Sequence, residues 1–307
     1  MERKRISGMS KLRQIKRRIK SVDNIAKVTK AMQLVAASRM RRAQENALLG
    51  KKYAFKIKQL MIGLSQKAGK DLDPLVNPYY SPDYQKVYLL VFSPQRGLAG
   101  SLPGNLSRFI LKLILKIKTE EQKEVEVITI GKKVRDQLVR RGIKIIADFS
   151  DIPERPTTVD VRAILKFIEE NYLNHRVGQV LMVFPDFISV LNQKPTAKVL
   201  LPLNIDEVKK YDETFEIQAS SDSAEFVYEP NQKRIFSELI PAYLETQIYQ
   251  ARLETIASEY CARMVAMKNA TSNASDVKDY LTLEYNKSRQ SQITKELAEI
   301  SAGRLGQ

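Results

Sequence analysis

The two ends of the chain are long stretches that are nearly free of the residues that break helices. Residues 10–64 contain no proline, and their only glycines are Gly50 and Gly63. Residues 242–302 contain neither proline nor glycine. Because helix interiors tolerate these two residues least, the ends predict two helices of roughly 80 and 90 Å at 1.5 Å per residue.

Apolar residues in both stretches recur at steps of three and four, which is the period of an α-helix. The first stripe is Leu12, Ile15, Ile19, Val22, Ile25, Val28, Met32 and Val35, and the second is Leu253, Ile256, Tyr260, Met264, Met267, Ala270, Ala274, Val277, Leu281 and Tyr285. Two such helices bury their stripes most simply against each other, so we expect a long antiparallel two-helix coiled coil. Toward the free ends the stripes are poor in leucine, which indicates a shaft held by an enclosing partner.

The middle of the chain alternates predicted strands with predicted helices. The strands are expected at residues 86–92, 125–130, 143–149 and 180–184, and the helices at 105–118, 132–141 and 159–173, the last capped by Thr157 or Thr158. A later pair, 187–191 and 197–203, is joined through Gln-Lys-Pro and is typical of an antiparallel addition at a sheet edge. The pattern predicts an α/β fold class, with a Rossmann-like domain at 66–230 between helices at 1–65 and 231–307.

Positive charge is concentrated in the first helix. The chain carries a formal net charge of +16, and residues 1–64 hold 18 Lys and Arg against 3 acidic residues. Nucleic acid, anionic lipid and an acidic protein surface are the usual partners of such a segment. The charges interleave with the apolar stripe instead of forming a separate arm, which favours a solvated helix face that meets acidic protein loops.

Catalytic and metal chemistry has few residues to work with. The chain has one histidine, His175, and one cysteine, Cys261. One histidine cannot supply a Ser/His/Asp set, and one cysteine cannot build a cysteine-rich metal cage. We interpret His175 as a solvated residue at a helix end and Cys261 as a small core residue, and we expect no catalytic site, cofactor or metal.

The turn after the first strand, PQRGLAGSLPGN at residues 94–105, is rich in glycine at a strand-to-helix position where phosphate loops occur. It lacks the Lys-Ser/Thr ending of a P-loop. A nucleotide site therefore stays the minor alternative, and the favoured interpretation is a turn that lets the chain pass close to a neighbour.

Segments at both ends resemble the gamma subunit of F-type ATP synthases. KVTKAMQLVAASRMRRAQ at 27–44 resembles its N-terminal helix, and IPAYLETQIYQA, ASEYCARMVAMKNATSNA and YNKSRQSQITKELAEI resemble its C-terminal helix. The resemblance implies a central rotor shaft whose coiled coil enters a ring of alpha and beta subunits, with the epsilon subunit and the membrane c-ring as further partners. It also implies that proton or sodium flow drives ATP synthesis by rotation, that catalysis belongs to the beta subunits, and that nucleic acid is not a partner.

The same resemblance implies roles for particular residues. Met32 matches the methionine that faces the acidic lever loop of beta. Arg289, Gln290 and Thr294 match polar positions that contact beta and influence coupling. The basic residues suited to attract the acidic lever are Lys27, Lys30, Arg39, Arg41 and Arg42.

The middle motif departs from the family. Residues 95–101 read Gln-Arg-Gly-Leu-Ala-Gly-Ser, where the family usually has Asp-Arg-Gly-Leu-Cys-Gly-Gly. The departure leaves two alternatives open, a gamma-like shaft of a variant ring ATPase and a basic coiled-coil adaptor. The sequence lacks a run of about 18 apolar residues, and the segment before residue 10 is too short for a transit peptide. The resemblance implies a peripheral protein at the cytoplasmic face of the cell membrane, as part of the ATP synthase complex, and the short N-terminal segment favours a bacterial chain.

Overall fold

The computed structural model describes residues 2–68, 73–76, 85–154, 156–190, 192–204 and 232–304. These residues form, in chain order, α1 (Glu2–Ala68), β1 (Lys86–Phe92), α2 (Leu102–Glu120), β2 (Glu124–Ile130), α3 (Lys132–Val139), β3 (Ile145–Asp148), α4 (Thr158–Leu173), β4 (Gln179–Phe187), β5 (Gln193–Leu201) and α5 (Gln232–Arg304). The chain divides into two compact units. The first unit comprises Met1–Ala37 with Arg263–Gln307, and the second unit comprises Ser38–Ala262.

The two long helices are confirmed, and each extends beyond the proline-free stretch from which it was predicted. For α5 that stretch begins at residue 242, but the helix begins at Gln232 and contains Pro241. Proline removes one backbone hydrogen bond from a helix interior. Its neighbours Ile240 and Leu244 are fully buried, and this burial keeps the helix continuous through the proline.

The second unit contains a five-stranded sheet with the strand order β3-β2-β1-β4-β5. β1 pairs in parallel with both β2 and β4, and β2 pairs in parallel with β3. β5 is antiparallel to β4. The predicted class, a largely parallel sheet with an antiparallel edge strand, is confirmed.

The edge pair differs from the prediction in its position along the chain. Residues 187–191 were expected to be a strand, but Phe187 ends β4, and Ser189 and Asn192 exchange backbone hydrogen bonds of 3.1 and 3.2 Å in the turn that follows. Leu191 lies outside the described residues. β5 begins at Gln193 and contains Pro195, which the prediction placed in the turn. An edge strand accepts a proline because only one of its sides is paired.

Helices cover both faces of the sheet and bury β1 almost completely. On one face, Val87, Leu89 and Val91 pack with apolar residues of α2 and α3. On the other face, Tyr88 and Leu90 share a core with α4 and with the parts of α1 and α5 that belong to the second unit. α4 begins where it was predicted, because the backbone N–H and hydroxyl of its N-cap, Thr157, both donate to the Asp160 carboxylate at 2.7 Å.

The buried face of α1 follows a strict heptad pattern that differs from the predicted stripe. In the first unit its members are Leu12, Ile15, Ile19, Val22, Ala26, Thr29, Gln33 and Ala36, each of them buried or half-buried, and Asp23 and Ala37 are half-buried beside it. In the second unit the same alternation of three- and four-residue steps continues as Met40, Ala43, Ala47, Gly50, Ala54, Ile57, Met61 and Leu64. The predicted stripe is wrong from Ile25 onward, since Ile25 and Val28 are 51% and 54% exposed. Three consecutive three-residue steps, from Ile19 to Val28, moved the predicted stripe onto the neighbouring face of the helix. The buried positions that follow Val22 are instead occupied by the smaller residues Ala26 and Thr29.

Candidate functional surface and an internal carboxylate site

The first unit contains an antiparallel pairing of α1 with α5. Asp23 Oδ1 lies 2.7 Å from Lys278 Nζ, and the hydroxyl oxygens of Thr29 and Thr271 lie 2.8 Å apart. Moving forward along α1 from one contact to the other means moving backward along α5, which defines the antiparallel direction. Lys27 Nζ also lies 2.8 Å from Asp23 Oδ2. Hydrogen bonds from Lys27 and Lys278 lower the pKa of Asp23 to about 2.

Many large apolar side chains of the first unit point away from this seam. The exposed ones are Ile25, Val28, Met32, Leu34 and Val35 on α1, with Val277, Tyr280, Leu283, Ile293 and Leu297 on α5. Single exposed apolar residues are ordinary, but a concentration of them marks an interaction surface. We call this set the apolar outer surface.

The predicted contact residues of the first unit are exposed and lie off the seam. Met32 is 40% exposed. Lys30 Nζ donates to Gln33 Oε1 at 3.4 Å, and Lys27 is held by Asp23. On α5, Arg289, Gln290 and Thr294 are exposed. Their side chains are therefore available to a partner.

The structure does not bring the two predicted groups together. The pairing of Thr29 with Thr271 places Met32 level with residues near 268 of α5. Arg289 and Thr294 lie more than twenty positions farther along that helix, or roughly 30–40 Å at 1.5 Å per residue. Met32 and the Arg289 group thus lie at two separate places along one helix pair.

Arg39, Arg41 and Arg42 belong to the second unit, where Arg39 has internal partners. Its Nη1 lies 3.3 Å from Glu154 Oε2 and 3.2 Å from the Tyr260 hydroxyl, and the guanidinium stands over the Tyr260 ring. The hydrogen bond with Tyr260 raises the pKa of Arg39. Arg41 forms an exposed helical pair with Glu45, whereas Arg42 is exposed beside a cavity of about 340 Å³ that Arg39 and Glu154 also line. Arg39 therefore ties α1 to residues of its own unit.

The glycine-rich loop after β1 binds a carboxylate of the same chain. The backbone N–H groups of Gln95 and Arg96 donate to the two carboxylate oxygens of Glu259, at 2.9 and 3.1 Å. The loop is positioned by the start of α3, where Lys133 N–H donates to the Pro94 carbonyl at 3.1 Å. The predicted close approach to a neighbour is thus present, and the neighbour is α5.

Glu154 forms a second connection beside the first. Arg96 Nη2 lies 3.0 Å from its Oε1, and the Tyr260 hydroxyl donates to its Oε2 at 2.6 Å. Since Arg39 reaches the same carboxylate, Glu154 connects the β1–α2 loop, α1 and α5. Glu154 and Glu259 were not predicted as functional residues, and Tyr260 was predicted only as a member of the apolar stripe, because the partners of all three are distant along the chain.

The buried stretch of α5 also carries Arg252, which is 3% exposed. Removal from water lowers the pKa of Arg252, whereas the nearby Glu259 and Glu154 favour its charged form. The cluster around the loop therefore holds three guanidinium groups and two carboxylates. Arg252 and Glu259 are buried, whereas Arg39, Arg96 and Glu154 are partly exposed. Loss of a partner is therefore most costly at the two buried groups.

Cys261 and His175 occupy the positions that the sequence predicted. Cys261 is buried, its Sγ donates to the Val190 carbonyl at 3.0 Å, and burial raises the pKa of the thiol to about 11. A thiol with that pKa is not a nucleophile at neutral pH. His175 is exposed directly after α4, with a left-handed φ of 55°.

Among the described residues, no cluster of three or more His, Cys, Asp or Glu side chains could hold a metal ion. The described helices also include none that is both long and apolar enough to span a bilayer.

Comparison with protein families matches almost the whole chain to one of them. The sequence model of the family described as ATP synthase matches residues 11–304. The ATP synthase gamma chain of Roseiflexus sp. (strain RS-1) is 40% identical over 296 residues, which cover 96% of this chain and 98% of the relative. The ATP synthase gamma chain of Herpetosiphon aurantiacus is 38% identical, with the same two coverages.

Solved structures with the same fold come from the rotating parts of ATP synthases. The rotor of the Euglena gracilis mitochondrial ATP synthase includes a chain that aligns with a TM-score of 0.64 at 16% identity, covering 92% of this chain and 99% of that one. A chain from the central stalk and c-ring of the Tetrahymena thermophila enzyme aligns with a TM-score of 0.56 at 21% identity, covering 79% and 99%. The fold is shared, and the identity of 40% over nearly full length decides the family: this chain belongs to the ATP synthase gamma chains.

Proposed function

We propose that this chain is the central rotor shaft of an F-type ATP synthase and couples transmembrane proton or sodium flow to ATP synthesis in a ring of alpha and beta subunits. The apolar outer surface of the first unit supports this role. A two-helix pair with exposed apolar side chains on both helices is suited to a partner that surrounds it. The same surface disfavours a basic adaptor that would bind through charge alone.

The shaft acts by presenting different faces to the ring subunits as it turns. Its Met32 region meets an acidic lever segment of beta, and the neighbouring Lys27 and Lys30 favour that encounter electrostatically. The Arg289, Gln290 and Thr294 side chains form a second polar contact roughly 30–40 Å along the pair. Two separated contacts resist bending of the shaft inside the ring, whereas a single contact would act as a pivot.

The chain itself performs no catalysis in this proposal. The amides of the β1–α2 loop, where a Rossmann-like fold would bind phosphate, are occupied by Glu259. ATP chemistry then belongs to the surrounding subunits. We assign the shaft to residues 1–65 and 231–307, and contact with the epsilon subunit and the c-ring to residues 66–230, at the cytoplasmic face of the membrane.

Reconstitution tests the proposal directly. Alpha and beta subunits purified with this chain are expected to form a complex that hydrolyses ATP, and a bead attached to the chain should rotate during hydrolysis. The purified chain alone should neither bind ATP stoichiometrically nor hydrolyse it. Tight ATP binding by the isolated chain, or a complex that hydrolyses ATP without rotation of the bead, would contradict the shaft role.

A further inference from the structure

Residues 251–261 of α5 are buried without exception, so this part of the helix has no face toward solvent. The Ser258 hydroxyl donates to the Pro185 carbonyl of β4 at 3.0 Å, and Cys261 reaches the Val190 carbonyl in the turn after β4. Ala43 of α1 packs against Ile256 and Ala257. The segment is therefore enclosed by the sheet and α1 together.

Apolar enclosure alone does not fix the rotation of a helix about its own axis, because hydrophobic contact is not directional. Hydrogen bonds to a charged group are directional and stronger than neutral ones. Glu259 receives two of them from consecutive backbone amides, one on each carboxylate oxygen. Backbone donors cannot change rotamer, so this contact restrains both the height and the rotation of α5 relative to the β1–α2 loop.

Glu154 adds a second directional contact to the same region. It receives the Arg96 guanidinium on one oxygen, with Arg39 and the Tyr260 hydroxyl on the other. Arg96 therefore contributes its backbone to Glu259 and its side chain to Glu154. Glu259 and Glu154 together with Gln95, Arg96, Arg39 and Tyr260 form what we call the loop joint.

We propose that the loop joint transmits torque between the sheet and the long helices, with Glu259 as its positioning residue. The inference rests on the proposed rotor function. Torque that enters at the sheet must reach α5, and the joint is the directional, charge-assisted connection between the β1–α2 loop and that helix. The amides that a nucleotide-binding fold would offer to a phosphate serve here as a mechanical attachment for a carboxylate.

The test uses the reconstituted complex of alpha, beta and this chain, immobilised through the ring. A bead is attached through Lys112→Cys on the exposed surface of α2, which is labelled selectively because the native Cys261 is buried. Glu259→Gln keeps the side-chain volume but turns an N–H₂ toward one of the two amides. Glu238→Gln is the matched control, since Glu238 lies on the same helix in an exposed pair with Arg234.

Two measurements are compared with the control. Hydrogen exchange of the Gln95 and Arg96 amides in the complex is expected to accelerate about tenfold in Glu259→Gln, as for loss of a charge-assisted bond. The angular variance of the bead about its dwell positions should rise, while the rate of ATP hydrolysis without load stays unchanged. Unchanged exchange would overturn the contact, and faster exchange with unchanged variance would overturn its role in transmitting torque.

A second variant covers the case in which Glu259→Gln fails to assemble. Glu154→Gln changes a partly exposed carboxylate and removes the ion pairs with Arg96 and Arg39, so it should raise the angular variance to a smaller extent. An angular variance no greater than in Glu238→Gln would overturn the proposal. If the unsubstituted complex hydrolyses ATP without turning the bead, the rotor function itself fails, and that outcome is distinct from a failure of the joint.

Discussion

Asp23 Oδ1 on α1 and Lys278 Nζ on α5 are 2.7 Å apart, and they form an ion pair between two residues separated by most of the chain. Hydrogen bonds from Lys27 and from Lys278 together hold the pKa of Asp23 at about 2, below the usual 3.8 of an aspartate. A carboxyl group with a lowered folded-state pKa stabilises the fold above its unfolded pKa. That stabilisation is lost as the pH falls through the folded value.

The first prediction follows from the lowered pKa of Asp23. Asp23→Asn should lower the thermal unfolding midpoint of the purified chain at pH 7, and the difference from the unsubstituted chain should shrink as the pH falls from about 4 toward 2. The exposed Asp276 provides the control, because Asp276→Asn should change the midpoint little at either pH. If the midpoint of Asp23→Asn stayed below that of the unsubstituted chain by the same amount down to pH 2, the ion pair would not be the cause of the difference.

Gly50 and Gly63, both on α1, should respond differently to substitution by alanine. A Cβ at Gly63 would meet nothing within 4 Å, so Gly63→Ala should stabilise the chain by about 0.5–1 kcal/mol through helix propensity. A Cβ at Gly50 would lie 2.7 Å from Gln250 Oε1 and 3.3 Å from Leu253 Cδ1. Gly50→Ala should therefore lose that gain or destabilise the chain. Chemical denaturation of both variants measures the difference, and equal gains would contradict the close packing at Gly50.

Met32→Lys should slow the assembled enzyme without preventing assembly. The exposed Met32 has no charge, and a lysine there would add an ion pair with an acidic lever segment in one rotary state. A partly desolvated pair of this kind is worth about 1–3 kcal/mol, enough to deepen one dwell selectively. Turnover and ATP-driven pumping in vesicles are the measurements. The conservative Met32→Leu should behave as the unsubstituted chain, and normal rates with Met32→Lys would remove this residue from the interface.

Replacing Arg289, Gln290 and Thr294 together with alanine should weaken the contact between shaft and ring. These exposed side chains lie off the seam, so the fold loses little. Each neutral hydrogen bond to the ring contributes about 0.5–1.5 kcal/mol, and a charged one about 1.5–3 kcal/mol. We expect reduced ATP synthesis and pumping, with the thermal midpoint of the purified chain nearly unchanged. If ATP synthesis were unimpaired, or if the thermal midpoint of the purified chain fell as much as synthesis did, these residues would be ordinary helix surface.

The regular parts of the fold could be predicted because each depends on a local pattern. The order of strands and helices in the second unit followed from alternating apolar runs, and the capping of α4 followed from Thr157. The buried stripe of α1 was predicted correctly through Val22 and wrongly from Ile25 onward. Ile25 and Val28 are larger and more apolar than Ala26 and Thr29, so a search for apolar spacing selects them. Close helix packing selected the smaller residues instead.

The loop joint could not be predicted for a different reason. Gln95 and Glu259 lie 164 positions apart, and the contact uses the backbone of one residue and the side chain of the other. Every residue except proline has a backbone N–H, so the residue type does not indicate which N–H groups bind a carboxylate. Pro241 lies inside α5 because tertiary packing outweighs the local preference of proline: its fully buried neighbours Ile240 and Leu244 hold the helix together.

The burial of the first part of α5 also has a consequence for biosynthesis. Ribosomes add about 5–20 residues per second, so roughly 10–35 s separate the synthesis of Leu64 from that of Phe236, the first α5 residue in the core that Leu64 shares. During that interval Ile57, Met61 and Leu64 on α1 lack the α5 residues that share their core. The nascent chain carries an uncovered apolar seam until it is nearly complete. Chains that terminate before α5 are therefore expected to aggregate or to be retained by chaperones, since the second unit cannot close without its last helix.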